Sequence, residues 1–223
     1  MAHQLEGVNS LYAGIMGAGK TFAVVHNTRK YDRIVAYDQS GFLFEEVTRF
    51  GGEITTERER VAEVLNRATE LDMGFRIGFV DESAQHQKWM MQQIEELTKR
   101  PAPGERPPFA TAFWIEEAAQ PFPQTNTPEV LHPEMMRLLR GVQHRRLHIL
   151  FATQRPHDLP KKMRDMMNDI WIFQLPDDEP AEVAAKKLGN RKLAEPIMEL
   201  ANGFHFHRNP KGRRTGPKRI TAT

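Results

Sequence analysis

Short apolar runs alternate along the chain with longer stretches in which apolar residues recur every three or four positions. That alternation predicts an α/β fold. The runs at residues 10–15, 33–38, 76–80, 111–115, 147–153 and 169–175 read as strands. Helices are expected at 20–29, 57–71, 85–99, 128–145 and 159–167, with two more at 179–188 and 194–201. Within 57–71, Val61, Val64, Leu65, Ala68 and Leu71 fall on one helical face, a stripe suited to packing on a core. Several strands are almost wholly apolar, as strands are when helices cover both faces of a mostly parallel sheet. The proline-rich segment 101–108 reads as a loop between a helix and the next strand. No internal repeat, heptad array or low-complexity tract interrupts the pattern.

Composition narrows the class without changing it. A chain of 223 residues, 39% hydrophobic and 27% charged, has the make-up of one globular domain. Folding such a chain buries on the order of two thirds of its unfolded surface. With no cysteine, a disulfide framework, a thiolate zinc site and a cysteine nucleophile are excluded, and a reducing compartment is permitted. No apolar run reaches the roughly 18–20 residues that span a bilayer, and residues 1–6 lack the pattern of a signal peptide. A soluble intracellular protein is the expectation.

Charge is distributed unevenly. Six of the 31 basic residues and none of the 29 acidic ones fall within 206–223: Arg208, Lys211, Arg213, Arg214, Lys218 and Arg219. The rest of the chain is therefore net acidic. This predicts a core over 1–206 and a basic tail over 207–223, suited to a polyanion or to a free, solvated end.

The sharpest chemical signal is Gly14-Ile15-Met16-Gly17-Ala18-Gly19-Lys20-Thr21, which fits G-x-x-x-x-G-K-S/T at every fixed position. An apolar strand precedes it and a helical run follows. Small residues let consecutive backbone N–H groups turn inward around phosphate oxygens, and the helix N-terminus adds partial positive charge. Gly14, Gly17, Ala18, Gly19, Lys20 and Thr21 are thus the candidate ATP-binding residues, Lys20 reaching the β- and γ-phosphates and the Thr21 hydroxyl facing Mg²⁺.

Hydrolysis needs more than a cradle. The strand Ala112-Phe113-Trp114-Ile115 ends in Glu116-Glu117. One carboxylate at such a strand end can hold Mg²⁺ and the next can take the proton of the attacking water, so Glu116 is the metal candidate and Glu117 the candidate base. Asp81-Glu82, also at a strand end, and Glu95-Glu96 are rivals. A third strand runs into Thr153-Gln154-Arg155-Pro156, and Gln154 is placed to read the γ-phosphate. Of the nine histidines, His205 and His207 alternate in an expected strand, with no metal-ligand spacing.

Taken together, the Gly14–Thr21 loop, Ile115-Glu116-Glu117-Ala118 and Phe151-Ala152-Thr153-Gln154-Arg155-Pro156 resemble, in order and spacing, the FtsK–HerA superfamily of DNA-pumping P-loop ATPases. Val35-Ala36-Tyr37-Asp38-Gln39-Ser40-Gly41 is similar to that superfamily's second strand, and Asp158-Leu159-Pro160 also fits; the match spans roughly residues 8–176. One position departs: the usual Asp-Glu pair is Glu116-Glu117 here. The resemblance implies a RecA/ASCE-like P-loop NTPase fold, ATP and Mg²⁺ as cofactors, and movement of double-stranded DNA without sequence preference. It also implies a homo-oligomeric ring, hexamer or pentamer, each site completed by a neighbour's arginine. Arg140, Arg145, Arg146 and Arg155 are the candidates, with Arg146 and Arg145 preferred.

The P-loop strand begins about ten residues from the first residue, an economy similar to the genome-packaging ATPases of membrane-containing double-stranded DNA viruses and phages. That likeness implies packaging into a preformed capsid, capsid or membrane-vertex proteins as partners, and a place in the infected cell's cytoplasm or on the virion. Lys161, Lys162, Arg164 and the 208–219 segment are candidate DNA contacts. Three alternatives stand beside this reading: a P-loop kinase for a nucleoside or small metabolite, a nucleotide-gated structural or adaptor protein that is not an enzyme, and a phage assembly ATPase similar to zonula occludens toxin.

Overall fold

A computed structural model of the chain describes residues 7–83, 85–99, 109–122 and 133–220. A single sheet organises them. Its strands are β1 (Val8–Ala13), β2 (Arg33–Asp38), β3 (Glu53–Thr55), β4 (Phe75–Val80), β5 (Thr111–Glu116), β6 (Leu147–Thr153), β7 (Asp169–Ile172), β8 (Phe204–Arg208) and β9 (Arg214–Arg219). They lie in the order β3-β4-β2-β5-β6-β1-β7-β8-β9. The pairs from β3 to β7 are parallel, and β8 and β9 add antiparallel strands at one edge.

The apolar strands are central because both their faces are covered. On one face α1 (Lys20–Thr28) lays Ala23, Val24 and Val25 against Tyr12, Ala36 and Trp114. The opposite face takes α3 (Arg58–Glu70), α4 (Gln87–Leu97), α5 (Pro133–Arg145), α6 (Lys161–Met166), α7 (Asp178–Lys187) and α8 (Ala194–Met198), packed on Leu11, Phe113, Phe151 and Ile172. No helix among the described residues is long and apolar enough to cross a membrane.

The expected strands and helices are present, with shifted ends. The first strand stops at Ala13 because Gly14 and Ile15 already belong to the loop that follows, and the sixth stops at Ile172. Within the expected helix 128–145, residues 133–145 are helical; 128–132, like the loop 101–108, lie outside the described residues. Unforeseen were β3, only three residues long, the short helix α2 (Val47–Phe50), and β9.

The basic segment set apart from residue 207 onward needs correction as far as Ile220. His207 and Arg208 end β8, and Arg214–Arg219 pairs with it as the outermost strand of the same sheet. Backbone pairing draws in a strand that has almost no apolar side chains of its own.

Candidate functional site

Parallel strands bring everything that follows their C-terminal ends to one side of the sheet, where α/β proteins form their crevices. Here β6 lies between β1 and β5, so the Gly14–Thr21 loop, Glu116-Glu117 and Thr153-Gln154 converge. The loop's path needs its glycines. A Cβ on Gly14 would stand 2.6 Å from the Phe173 Cβ, and Gly17 and Gly19 take φ of 75° and 104°. Gly14 N donates to Thr153 O and Ile15 N to Gln174 O, fixing the loop to β6 and to the chain beyond β7. At the N-terminus of α1 no side chain caps the first turn and no acid lies in it. Its free amides are therefore left for an anion.

Lys20 is buried, its Nζ donating to Gly14 O at 2.7 Å and Ile15 O at 3.0 Å. Burial lowers its pKa, against the opposing pull of Glu116 and Glu117. Glu116 is buried too, and loss of water raises its pKa well above the carboxylate range; Asp38 and Glu117 push the same way, while Lys20 opposes. Trp114 Nε1 donates to Glu116 Oε2 at 2.8 Å and fixes the carboxyl's direction. Thr21 and Glu116 line one cleft of about 170 Å³, together with Gly17, Gly19, Lys20 and Gln154. A hydroxyl and a carboxyl are hard oxygen donors that fit Mg²⁺, which takes few protein ligands and fills its shell with phosphate and water. Among the described residues no group of three or more His, Cys, Asp or Glu side chains forms a metal cage.

Glu117 is held differently. Its φ is 39°, a left-handed backbone that costs a non-glycine residue about 1–3 kcal/mol and marks sites where surrounding contacts over-determine the chain. Those contacts are explicit. Thr153 Oγ1 donates to Glu117 Oε1 at 2.8 Å, Gln154 N donates to both carboxylate oxygens at 3.2 and 3.1 Å, and Ala118 N donates to Ala152 O. The candidate base and the candidate sensor are thus one hydrogen-bonded unit.

The far wall of the cleft was not read from the sequence. Phe42, Glu45, Glu46 and Arg49 reach it from the segment after β2. Asp38 builds that segment, accepting from Ser40 N at 2.7 Å, Ser40 Oγ at 2.5 Å and Leu43 N at 2.9 Å, with Gly41 at φ 78°. The Asp-x-Ser-Gly pattern is the signal that could have found it.

Other candidates fall elsewhere. Asp81 accepts from Tyr37 Oη, Ser83 Oγ and His86 N, capping the turn into α4, and β2 stands between its strand and β5. Glu95 pairs with Arg137 and Arg145. Arg145 and Arg146 precede β6 and so lie at the opposite end of the sheet from the chain's own cleft. Arg145 donates to Glu95 O at 2.9 Å, and Arg146 O accepts from Thr111 N. Exposed Arg155 follows β6 at the cleft end. Arg164 donates to Pro156 O and His157 O, while Lys161 and Lys162 are exposed. His205 and His207 stack on Trp171, and burial lowers the His205 pKa to about 4.

No family model matches the chain, and no curated protein matches it in sequence. Solved structures do match. The DNA-packaging ATPase B204 from Sulfolobus turreted icosahedral virus aligns with a TM-score of 0.70 at 14% identity, over 97% of this chain and 100% of that one. The genome packaging NTPase B204 from Sulfolobus turreted icosahedral virus 2, with sulfate bound, aligns at 0.69 and 16% identity over 98% and 99% of the two chains. VirB4 of Thermoanaerobacter pseudethanolicus aligns at 0.65 and 10% identity, over 96% and 90%. Likeness at such identities is likeness of fold: this chain has the P-loop NTPase fold that these structures share, a mostly parallel sheet with helices on both faces.

Proposed function

We propose that the chain is a Mg²⁺-dependent ATPase that moves double-stranded DNA, packaging a viral genome into a preformed capsid. The observation that carries this is the meeting of Lys20, Glu116 and Gln154 from three neighbouring strands around one cleft, with Glu117 hydrogen-bonded to the backbone of Gln154 beside it. The fold match to a structure described as a DNA-packaging ATPase, end to end over both chains, supports the choice of cargo.

On nucleotide binding, Lys20 exchanges the carbonyls of Gly14 and Ile15 for phosphate oxygens, joined by the loop amides and the N-terminus of α1. Thr21 and Glu116 are the residues that would hold Mg²⁺, which would neutralise charge on the phosphates. Glu117 takes a proton from the water that attacks the γ-phosphorus, and the bond to the β-phosphate oxygen breaks to leave ADP and phosphate. Gln154, bonded through its amide to Glu117, reports the γ-phosphate. In a ring, Arg146 or Arg145 of one copy completes the cleft of the next, since both precede β6 and stand at the opposite end of the sheet from their own cleft.

The test is steady-state ATP hydrolysis with Mg²⁺, with and without duplex DNA, over a series of salt concentrations. Stimulation by DNA that fades as salt rises is the expected result. Phosphate transfer to a nucleoside without hydrolysis would contradict the reading and make the protein a kinase.

A further inference from the structure

We propose that the β8–β9 hairpin is the surface that grips the phosphate backbone of duplex DNA, and that it is joined directly to the phosphate-binding loop. The inference rests on the translocase reading and deepens it by naming the contact.

Charge comes first. From Phe204 to Ile220 the hairpin carries no acid. Two of its cations fasten it to the end of α7: Arg208 Nη1 donates to Lys187 O and Arg214 Nη1 to Gly189 O. Lys211, Arg213, Lys218 and Arg219 are exposed, and among the described residues no carboxylate pairs with any of them. At about 3.3 Å per residue the six residues of β9 extend roughly 17–20 Å, the length of five or six base pairs of duplex. Lysine and arginine spread over such a length suit a repeating phosphate backbone and carry no sequence preference.

The hairpin's make-up argues against other polyanionic or strand-like partners. Pro217 lies on this edge strand and lacks a backbone donor, which discourages the addition of another protein's strand. The large exposed hydrophobic residues among those described are Met16, Phe44, Leu71 and Met73, none on the hairpin, so it lacks the apolar anchors of a lipid-binding surface.

The connection to the nucleotide cleft is short. Gly203, at the base of the hairpin, donates its N–H to Ala18 O of the phosphate-binding loop at 3.2 Å. Ile220, at the other end of the hairpin, donates to Gly203 O at 2.9 Å, closing both ends on that one residue. Gly203 holds φ 82°, and a Cβ on Gly19 would stand 3.5 Å from its Cα. A change in the loop on binding nucleotide therefore reaches the hairpin through two hydrogen bonds. By linkage, DNA on the hairpin alters nucleotide affinity by the same factor that nucleotide alters DNA affinity.

The experiment measures binding of the full chain to a fluorescent mixed-sequence duplex of about 40 base pairs, by anisotropy, between about 50 and 200 mM salt. The parent is compared with Lys211→Ala/Arg213→Ala/Lys218→Ala/Arg219→Ala and with Lys218→Ala alone; melting temperature verifies folding. The quadruple variant is expected to bind at least about tenfold more weakly at low salt, its log–log salt slope shallower by about 3.6, and the single variant's slope by about 0.9. Parental affinity and slope in both variants would overturn the surface and leave the translocase reading standing. So would a loss found only in Lys161→Ala/Lys162→Ala. A parent that binds no duplex at any salt would overturn both readings.

Discussion

The central strands of the sheet carry polar groups at both of its ends, β1, β6 and β7 at one and β1, β5 and β6 at the other, and the two groups are built on opposite terms. Near the strand beginnings, Ser10 Oγ donates to Asp169 Oδ2 at 2.7 Å and is bonded to His148 Nε2 at 2.6 Å, while Tyr31 Oη meets His148 Nδ1. Trp171 Nε1 and His207 Nε2 complete the set on Asp169 at 2.9 and 2.7 Å. This network closes on itself: each donor has an acceptor within the group, and burial keeps His148 neutral with a pKa lowered to about 4. At the strand tips, Lys20 rests on two backbone carbonyls, and Glu117 is held in a strained backbone by a hydroxyl and an amide beside an open cleft. Those partners can be exchanged for a ligand. Burial and hydrogen bonding alone therefore do not distinguish a working site from a structural one, and neither does an adjoining space, since His148, Asp169, Trp171 and His207 line a cavity of about 490 Å³. What separates the two ends is the partners: Lys20 rests on loop carbonyls that a phosphate can replace, whereas Asp169 is held by three side-chain donors that its loss would strand.

Breaking each end should give opposite outcomes. Lys20→Ala, at the tips, removes the charge meant for the phosphates, and kcat/KM for ATP should fall by more than about 10³ with melting temperature little changed. Asp169→Ala, at the other end, strands the donors of Ser10, Trp171 and His207 in the interior. It should cost about 2–4 kcal/mol and lower the melting temperature by about 10 °C, while the folded protein keeps its affinity for ATP.

Acid sharpens the contrast. His148 and His205 have folded-state pKa values lowered to about 4, against about 6.5 when unfolded. The stability they add is present above pH 6.5 and is lost as pH falls towards 4, because the unfolded chain then binds protons that the folded one refuses. Melting temperature should decline across that window, and His148→Gln should flatten the decline. The smallest effect is expected from Trp114→Phe, which frees the Glu116 carboxyl from its indole donor and should raise the Mg²⁺ concentration for half-maximal turnover by a few-fold.

Legibility in the sequence followed how local each feature is. The loop Gly14–Thr21 is a contiguous motif whose spacing alone dictates its shape, and the apolar strands declare themselves by what they must bury. Glu116, Glu117 and Gln154 could be found because parallel strands deliver their C-terminal ends to one side. The same rule, applied to Arg145 and Arg146, puts residues that precede a strand at the opposite side, and it was there to be used. The wall formed by Phe42, Glu45, Glu46 and Arg49 depends on a turn closed by Asp38, so its position is a tertiary result. Likewise the Thr153–Glu117 bond joins residues 36 apart and has no local trace. β9 escaped notice because Arg-Thr-Gly-Pro-Lys-Arg offers no pattern of burial; backbone pairing with β8 supplies it.

The central claim is that the cleft at the strand tips hydrolyses ATP with Glu117 as the base. Single-turnover hydrolysis of bound ATP, measured side by side in the parent and in Glu117→Gln, tests it most directly. The account predicts that both bind ATP within a few-fold of each other, and that the variant cleaves it about 10²–10⁴ times more slowly. Cleavage by Glu117→Gln at the parent's rate would contradict the account and take the role of base away from Glu117.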